Sequence, residues 1–264
     1  MCFSENSVKP RLEKRLIYDN SASRENKGTD FAMSRLHKFL NDTFLKLGHN
    51  NFYYLKCDIS KFFESIDHDI LLNLLHKAGF SNDELWFCEK IMRNGNYGLI
   101  GKGLPLGNQT SQWFSLLYMD VVDRIIKEKL RIKHYSRYMD DFVLIHESKQ
   151  VLRNAKAIIE QACSDKLKLT LNKRKTVIGK VSNGVDYLGF VHKVLPNGKV
   201  EVKQRQQAKQ RMKRKIKFID KLYTTEQVDN EFLDIRESAY CNHLKNTKSK
   251  RWIRREFKKI RKRT

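Results

Sequence analysis

Three aspartates carry the strongest chemistry in this sequence: Asp58 in "YYLKCDISKFF" and the adjacent Asp140 and Asp141 in "RYMDDFVLI". The runs around them are apolar and rich in β-branched and aromatic residues, the pattern of buried strands. Bare carboxylates beside such strands are costly unless something cationic holds them. Asp58 sits where its strand should end, 82 residues before Asp140. Brought onto adjacent strands, the three would form an all-oxygen site, stable only with hard divalent cations such as Mg²⁺ bound. Two such ions stabilise the attacking and leaving oxygens of an in-line phosphoryl displacement. The plain alternative is that Asp140 and Asp141 form an ordinary turn.

The elements that must position these residues alternate along the chain. "FYYLKCDIS" reads as a strand and is followed by a helix from about Asp67 through Lys77. "NDELWFCEKIMRN" and "SQWFSLLYMDVVDRIIKEKL" read as helices, the second with basic residues at its end. Then come the strand "YMDDFVLI", a helix over "KQVLRNAKAIIEQACSDKL", the strand-like "LKLTL", and "VDYLGFVHKV", a strand broken by Gly189. Interleaved strands and helices predict an α+β arrangement with helices on one face of the sheet. "LPNGKVEV" predicts a hairpin turn at Pro196–Gly198. The segment "KQRQQAKQRMKRKIKFIDKLY" then reads as a helix whose Met212, Ile216, Ile219 and Leu222 form a core stripe.

Charge points to a polyanionic partner. The 264 residues hold 53 Lys and Arg against 30 Asp and Glu, a formal net charge of +23. From Lys203 onward the balance is 21 against 7. A solvated helix face is the bland reading of such a run; with so few acidic partners, phosphate-backbone contact is preferred. No apolar run has the length of a membrane-spanning helix, and the opening "MCFSENSVKP" lacks a signal-peptide core. Cys2, Cys57, Cys88, Cys163 and Cys241 lie far apart, which predicts free thiols in a reducing cytoplasm rather than a zinc site.

Taken in order, "CDISKFF", "GLPLGNQTSQWFSLLYMDVVD", "YMDD", "LKLTLNKRKT" and "YLGF" resemble the motifs of a reverse transcriptase, covering the chain from about Arg15 to Val194. "ESAYCNHLKN" is similar to the short thumb signature of bacterial members. "RLIYDNSASRENKGTDFAMSRLHKFL" and "LGNQTSQ" look most like the enzymes of diversity-generating retroelements, with group II intron and retron enzymes as relatives. The resemblance implies a right-hand polymerase: partial fingers over residues 1–50, a palm of antiparallel sheet over 51–195, and a primer-grip end with a basic helical thumb over 196–264. Only 57 residues precede Asp58, so the earlier finger strands are expected to be missing.

Site roles follow from the same resemblance. Asp58, Asp140 and Asp141 would hold two Mg²⁺ ions, with Mn²⁺ as a substitute. Lys175 matches a lysine that protonates the departing pyrophosphate, with Lys173 as a rival. Phe63 matches a steric gate against the ribose 2′-hydroxyl, whereas Phe62 beside it reads as core. Gly107 would let backbone approach the incoming base pair. Leu106 stands where many retroviral enzymes carry Gln, and implies lower fidelity. Gln112 and Ser111 open a helix, where Ser111 is either an N-cap or a template contact. Arg24 is either a template or nucleotide contact or a solvated loop residue. Tyr138 flanks the paired aspartates, and Gly189 lies in the primer-grip turn.

The expected activity is Mg²⁺-dependent extension of a DNA or RNA primer by dNTPs on an RNA template. The resemblance also implies a small basic accessory protein, no membrane, and a bacterial cytoplasmic location. Two alternatives stand beside it: a catalytically impaired RNA-binding protein built on the palm, and a maturase-like factor.

Overall fold

The computed structural model describes residues 3–93, 100–244 and 249–262. Cys2, Asn94, Lys245 and Asn246 of the segments above, and the last two residues, lie outside them. Four antiparallel strands form the central sheet, in the order β2-β3-β1-β4: β1 (Tyr53–Cys57), β2 (Tyr135–Tyr138), β3 (Asp141–His146) and β4 (Val177–Lys180). A π turn over Ser4–Val8 leads into the short α1 (Lys9–Glu13). Among the helices flanking the sheet are α2 (Thr29–Leu47), α3 (Phe62–Ser65), α4 (His68–Lys77), α5 (Asn82–Arg93), α6 (Gln109–Arg124) and α7 (Lys149–Leu167).

The expectation of helices on one face is corrected. Leu55, Cys57, Phe142 and Leu144 point into a core shared with α4, α6 and α7. Their neighbours Val143 and Ile145 point the other way, into a second core with Ala32, Leu36, Phe39 and Leu40 of α2. Both faces are covered, so "FVLI" has no polar alternate positions. By packing, the segment before residue 50 is part of this body. Val8, Leu12 and Leu16 join the first core and α2 builds the second.

Helix boundaries follow local chemistry. Asp67 accepts from the Ile70 amide and caps α4, and Ser148 accepts from Val151 and caps α7. The predicted strand "LKLTL" is not one: α7 runs to Leu167, and Leu171 makes only an isolated bridge to Ile59. "VDYLGFVHKV" is a hairpin, β5 (Val185–Tyr187) and β6 (Phe190–Val194). They are joined by Leu188 and Gly189, both at positive φ as a tight two-residue turn requires. β7 (Val200–Gln204) completes this second sheet, so the predicted basic helix starts at Gln206 rather than Lys203. α8 (Gln206–Thr224), α9 (Asn230–His243) and α10 (Ser249–Arg261) form a third core with Phe190 and Met33. On α8, Ile216 and Ile219 are buried as expected, while Tyr223 rather than Leu222 completes the buried stripe. Cys57, Cys88, Cys163 and Cys241 are free and buried. Among the described residues no helix is long and apolar enough to cross a membrane.

Candidate active site

Strand register brings the carboxylates together. β1 and β3 pair antiparallel with Cys57 opposite Phe142, so Asp58, one step further, comes opposite Asp141. Lys56 shares the Asp58 face of β1 and lies diagonal to Asp141. Its ammonium, on a side chain only 9% exposed, is 3.3 Å from Asp141 Oδ2. Asp141 Oδ1 is buried without a hydrogen-bond partner among the described residues. Burial pushes the Asp141 carboxyl up to about 6, opposed by Lys56 and reinforced by Asp58 and Asp140. Asp140 is also raised, first by burial and then by Asp58, with Lys175 and Arg137 opposing.

Lys175 reaches Asp58 from a turn built by Asn172. The Asn172 carbonyl accepts from the Lys175 and Thr176 amides, and its side chain accepts from Arg174. The Asn172 amide donates to the Asp58 carbonyl at 2.8 Å. The Lys175 ammonium thus rests 3.0 Å from both Asp58 oxygens. Sequence reasoning passed over Asn172, although an Asn shortly before a predicted functional Lys is a turn signal.

The paired aspartates straddle the end of a turn. Tyr138 pairs with Asp141 across a two-residue connection, Met139–Asp140, and Met139 has φ 54°. A methionine in the left-handed region costs about 1–3 kcal/mol, so surrounding contacts must hold it there. Arg137, completely buried, forks onto the equally buried Asp123 at 2.7 and 2.6 Å. Its Nη1 donates to the Met139 carbonyl at 2.9 Å, and its Nη2 to the Leu116 carbonyl at 3.2 Å. Tyr135 also donates to Asp123. Sequence reasoning missed both Arg137 and Asp123. Their one signal was a charge inside a strand-like run and another inside a largely apolar helix.

The other predicted residues are distributed around this centre. Phe63 is half-buried on α3, edge-on to the buried Phe62, with ring centroids 5.5 Å apart. Tyr138 is half-buried between the first two cores. Leu106 is 68% exposed. Gly107 has φ 83° and open space where a Cβ would stand, so it is the backbone conformation that demands glycine there. The N-cap of α6 is Asn108, which accepts from Thr110, so Ser111 is not the cap; its hydroxyl is buried and unpartnered among the described residues. Gln112 accepts from Ser23 at 2.6 Å. Arg24 is not a solvated loop residue: it binds Glu13 and the Ile17 and Asn20 carbonyls. Lys173 is exposed on the Asn172 turn.

Lys175 pairs with Asp58 and Lys56 with Asp141, two ammoniums against three carboxylates, so part of the charge is met within the chain and part is left for a cation. Among the described residues, no three His, Cys, Asp or Glu side chains are drawn together as a ready ligand shell. What the geometry offers is a set of acidic oxygens at a sheet end, with an ammonium at Asp58 and another at Asp141.

Residues 5–192 match the family model described as reverse transcriptase (RNA-dependent DNA polymerase). The chain belongs to the reverse transcriptase family. A putative COX1/OXI3 intron 2 protein of Saccharomyces cerevisiae is 22% identical over 205 residues, covering 54% of this chain and 24% of the relative. Apo telomerase of Candida tropicalis, truncated from its C-terminal domain, matches with a TM-score of 0.57 at 19% identity, over 76% of this chain and 46% of that one. Telomerase of Candida albicans, in complex with a fragment of telomeric RNA, gives 0.58 at 13% identity, covering 83% and 42%. These structures establish a common fold, that of a polymerase palm. The chain spans less than half the length of each of these relatives.

Proposed function

We propose that this reverse transcriptase extends a DNA or RNA primer with deoxynucleotides on an RNA template, using Asp58, Asp140 and Asp141 as its acidic centre. The observation that carries the reading is the register that sets Asp58 opposite Asp141, with Asp140 in the adjoining turn. The donor chemistry fits a hard divalent ion: three carboxylates and no soft ligand, with one buried oxygen of Asp141 unpartnered among the described residues. Asp58, Asp140 and Asp141 would hold two Mg²⁺ ions, or Mn²⁺, which when bound cancel charge at the transferring phosphoryl group.

The chain's own residues supply the rest. Lys175, already at Asp58, is placed to carry a proton toward a departing pyrophosphate. Phe63 presents a ring that excludes a 2′-hydroxyl. Leu106 and Gly107 offer an apolar, backbone-lined surface to a base pair, and Gln112, Arg24 and Tyr138 border the strand path. The domain roles follow: residues 1–50 as partial fingers, 51–195 as palm, 196–264 as grip and thumb. The "SRENKG" and "LGNQTSQ" segments support a diversity-generating type of element, a small basic accessory protein and a bacterial cytoplasmic setting.

The test is primer extension on poly(rA)–oligo(dT) with Mg²⁺, comparing wild type with Asp140→Ala and Asp141→Ala. Extension by wild type alone supports the reading. RNA binding by all three proteins with no extension by any would overturn it.

A further inference from the structure

We propose that Arg137 and Asp123 form a positioning pair that aims the Met139–Asp140 turn, and through it the carboxylates of Asp140 and Asp141. The inference rests on the polymerase reading above. Three observations converge on it. The turn is conformationally unfavourable, because Met139 is a non-glycine residue at φ 54°. Its carbonyl is held at 2.9 Å by a guanidinium that is itself immobilised by a bidentate fork onto Asp123. Its side chain is held from the same helix, since Ser115 of α6 donates to the Met139 sulfur at 3.6 Å.

The arrangement is more elaborate than stability asks for. A buried ion pair is often no better for stability than packed apolar groups of the same volume. Here the Asp123 carboxylate accepts from Arg137 and Tyr135, and Arg137 spends its remaining donors on the carbonyls of Leu116 and Met139. The backbone of Arg137 is fixed as well: its amide donates to Asp19, and its carbonyl accepts from Ser21. The guanidinium therefore ties α6 to the turn that carries Asp140, while the backbone of the same residue holds the segment before α2. Register sets Arg137 opposite Phe142, on the sheet face away from Asp141, and its charge bears on Asp140, so the pair acts on the reaction through Asp140 and Asp141.

The test uses the full chain and two variants. Arg137→Met/Asp123→Leu removes both charges while keeping apolar volume, and Arg137→Lys keeps a charge for Asp123 but cannot also reach Met139. For each we measure thermal melting, kcat and KM for dTTP on poly(rA)–oligo(dT), and amide hydrogen exchange over residues 137–142. The expected result is a folded double variant with kcat down about 100-fold, as for an ångström-scale misplacement of reacting groups. KM should change less than threefold, and exchange should quicken at the turn alone. Arg137→Lys should fall between the double variant and wild type. A folded double variant with wild-type kcat and wild-type exchange overturns the proposal. Failure of both variants to fold also overturns it, leaving the pair a purely structural one. A wild-type protein that does not extend primers sinks the polymerase reading instead, and turn exchange then reports on the pair by itself.

Discussion

The Lys175 ammonium lies 3.0 Å from each oxygen of Asp58, although the lysine side chain is 59% exposed. A solvated pair of this kind adds little to stability, at most about 1 kcal/mol. On the proposed function, its value lies in keeping a proton donor at the acidic centre. Lys175→Ala should therefore melt within a degree or two of wild type while primer extension slows on the order of 100-fold, the usual worth of a placed acid. Lys175→Arg should be slow as well, because a guanidinium pairs with Asp58 but does not give up its proton. Steady-state kinetics beside a melting curve decide it; an alanine variant as fast as wild type leaves Lys175 a counter-ion only.

Lys56 differs from Lys175 in being buried. Removing it leaves Asp141 as an uncompensated carboxylate beside Asp58 and Asp140, a change that costs about 3 kcal/mol for a buried pair. We expect Lys56→Met to lower the melting temperature in chelator and to recover part of the loss in millimolar Mg²⁺. An ion that binds only the folded state raises stability by mass action. Wild type should gain less, since its own ammonium already occupies that side of Asp141. Equal Mg²⁺ gains in both proteins would show that Lys56 and the ion do not share Asp141.

Much of this centre was legible in the sequence because it obeys local rules. Asp58, Asp140 and Asp141 stand out as charges in strand-like apolar runs, and the helical stretch "KQVLRNAKAIIEQACSDKL" coincides with α7. What escaped was non-local. Nothing near Arg137 reveals that its partner lies on α6 at Asp123, because buried pairing is set by packing rather than by periodicity. The same holds for Lys56, which reads as an ordinary strand lysine until β1–β3 register places it diagonal to Asp141. "LKLTL" failed for a different reason: alternation in a short apolar run fits the end of a helix followed by an extended connector as well as it fits a strand. The two-sided cover of the sheet was written in "FVLI", a continuous run where one-sided strands alternate.

Acid should loosen the join between α2 and the second sheet. His37 and His192 share a hydrogen bond of 2.8 Å, in which one ring donates and the other accepts. Burial, then His37, pushes His192 down to about 3, and burial lowers His37. The groups facing His192 are His37 and the Tyr187 carbonyl. A depressed folded-state value means that only the unfolded chain takes up the proton between pH 6.5 and 3. Stability is therefore intact above 6.5 and declines through that window, by roughly 1.4 kcal/mol per pH unit for each such proton. His192→Phe should flatten the dependence in urea melts at pH 4–7; an unchanged slope would assign the acid sensitivity elsewhere.

Phe63 tests the nucleotide side of the site. The ring packs edge-on against Phe62 and remains half-buried, so Phe63→Ala trims a projecting ring without emptying the main core. Relative use of rNTP over dNTP should rise on the order of tenfold to a hundredfold, the range in which a pocket discriminates by shape. Competing the two nucleotides in a single-turnover extension measures this directly. A ratio that stays at the wild-type value moves the gate to another residue.

The thumb should set the salt dependence of nucleic-acid binding. On α10, Ile253, Phe257 and Ile260 are buried, whereas Arg251, Arg254, Arg255, Lys258 and Lys259 are exposed. On α8, Arg211, Lys213, Arg214, Lys215 and Lys217 are likewise exposed around the buried Ile216 and Ile219. Each lysine or arginine that neutralises a phosphate releases condensed counterions, so affinity falls with salt in proportion to their number. Replacing Lys213, Arg214 and Lys217 by Gln should weaken template–primer binding without regard to sequence. The log–log salt slope should shrink by about one for every phosphate that is no longer neutralised. Because these side chains are exposed, melting should change little. Fluorescence anisotropy from 50 to 300 mM KCl gives the slope. A weaker affinity with an unchanged slope would mean that α8 acts by holding the thumb's shape, and that α10 is the element that meets the phosphates.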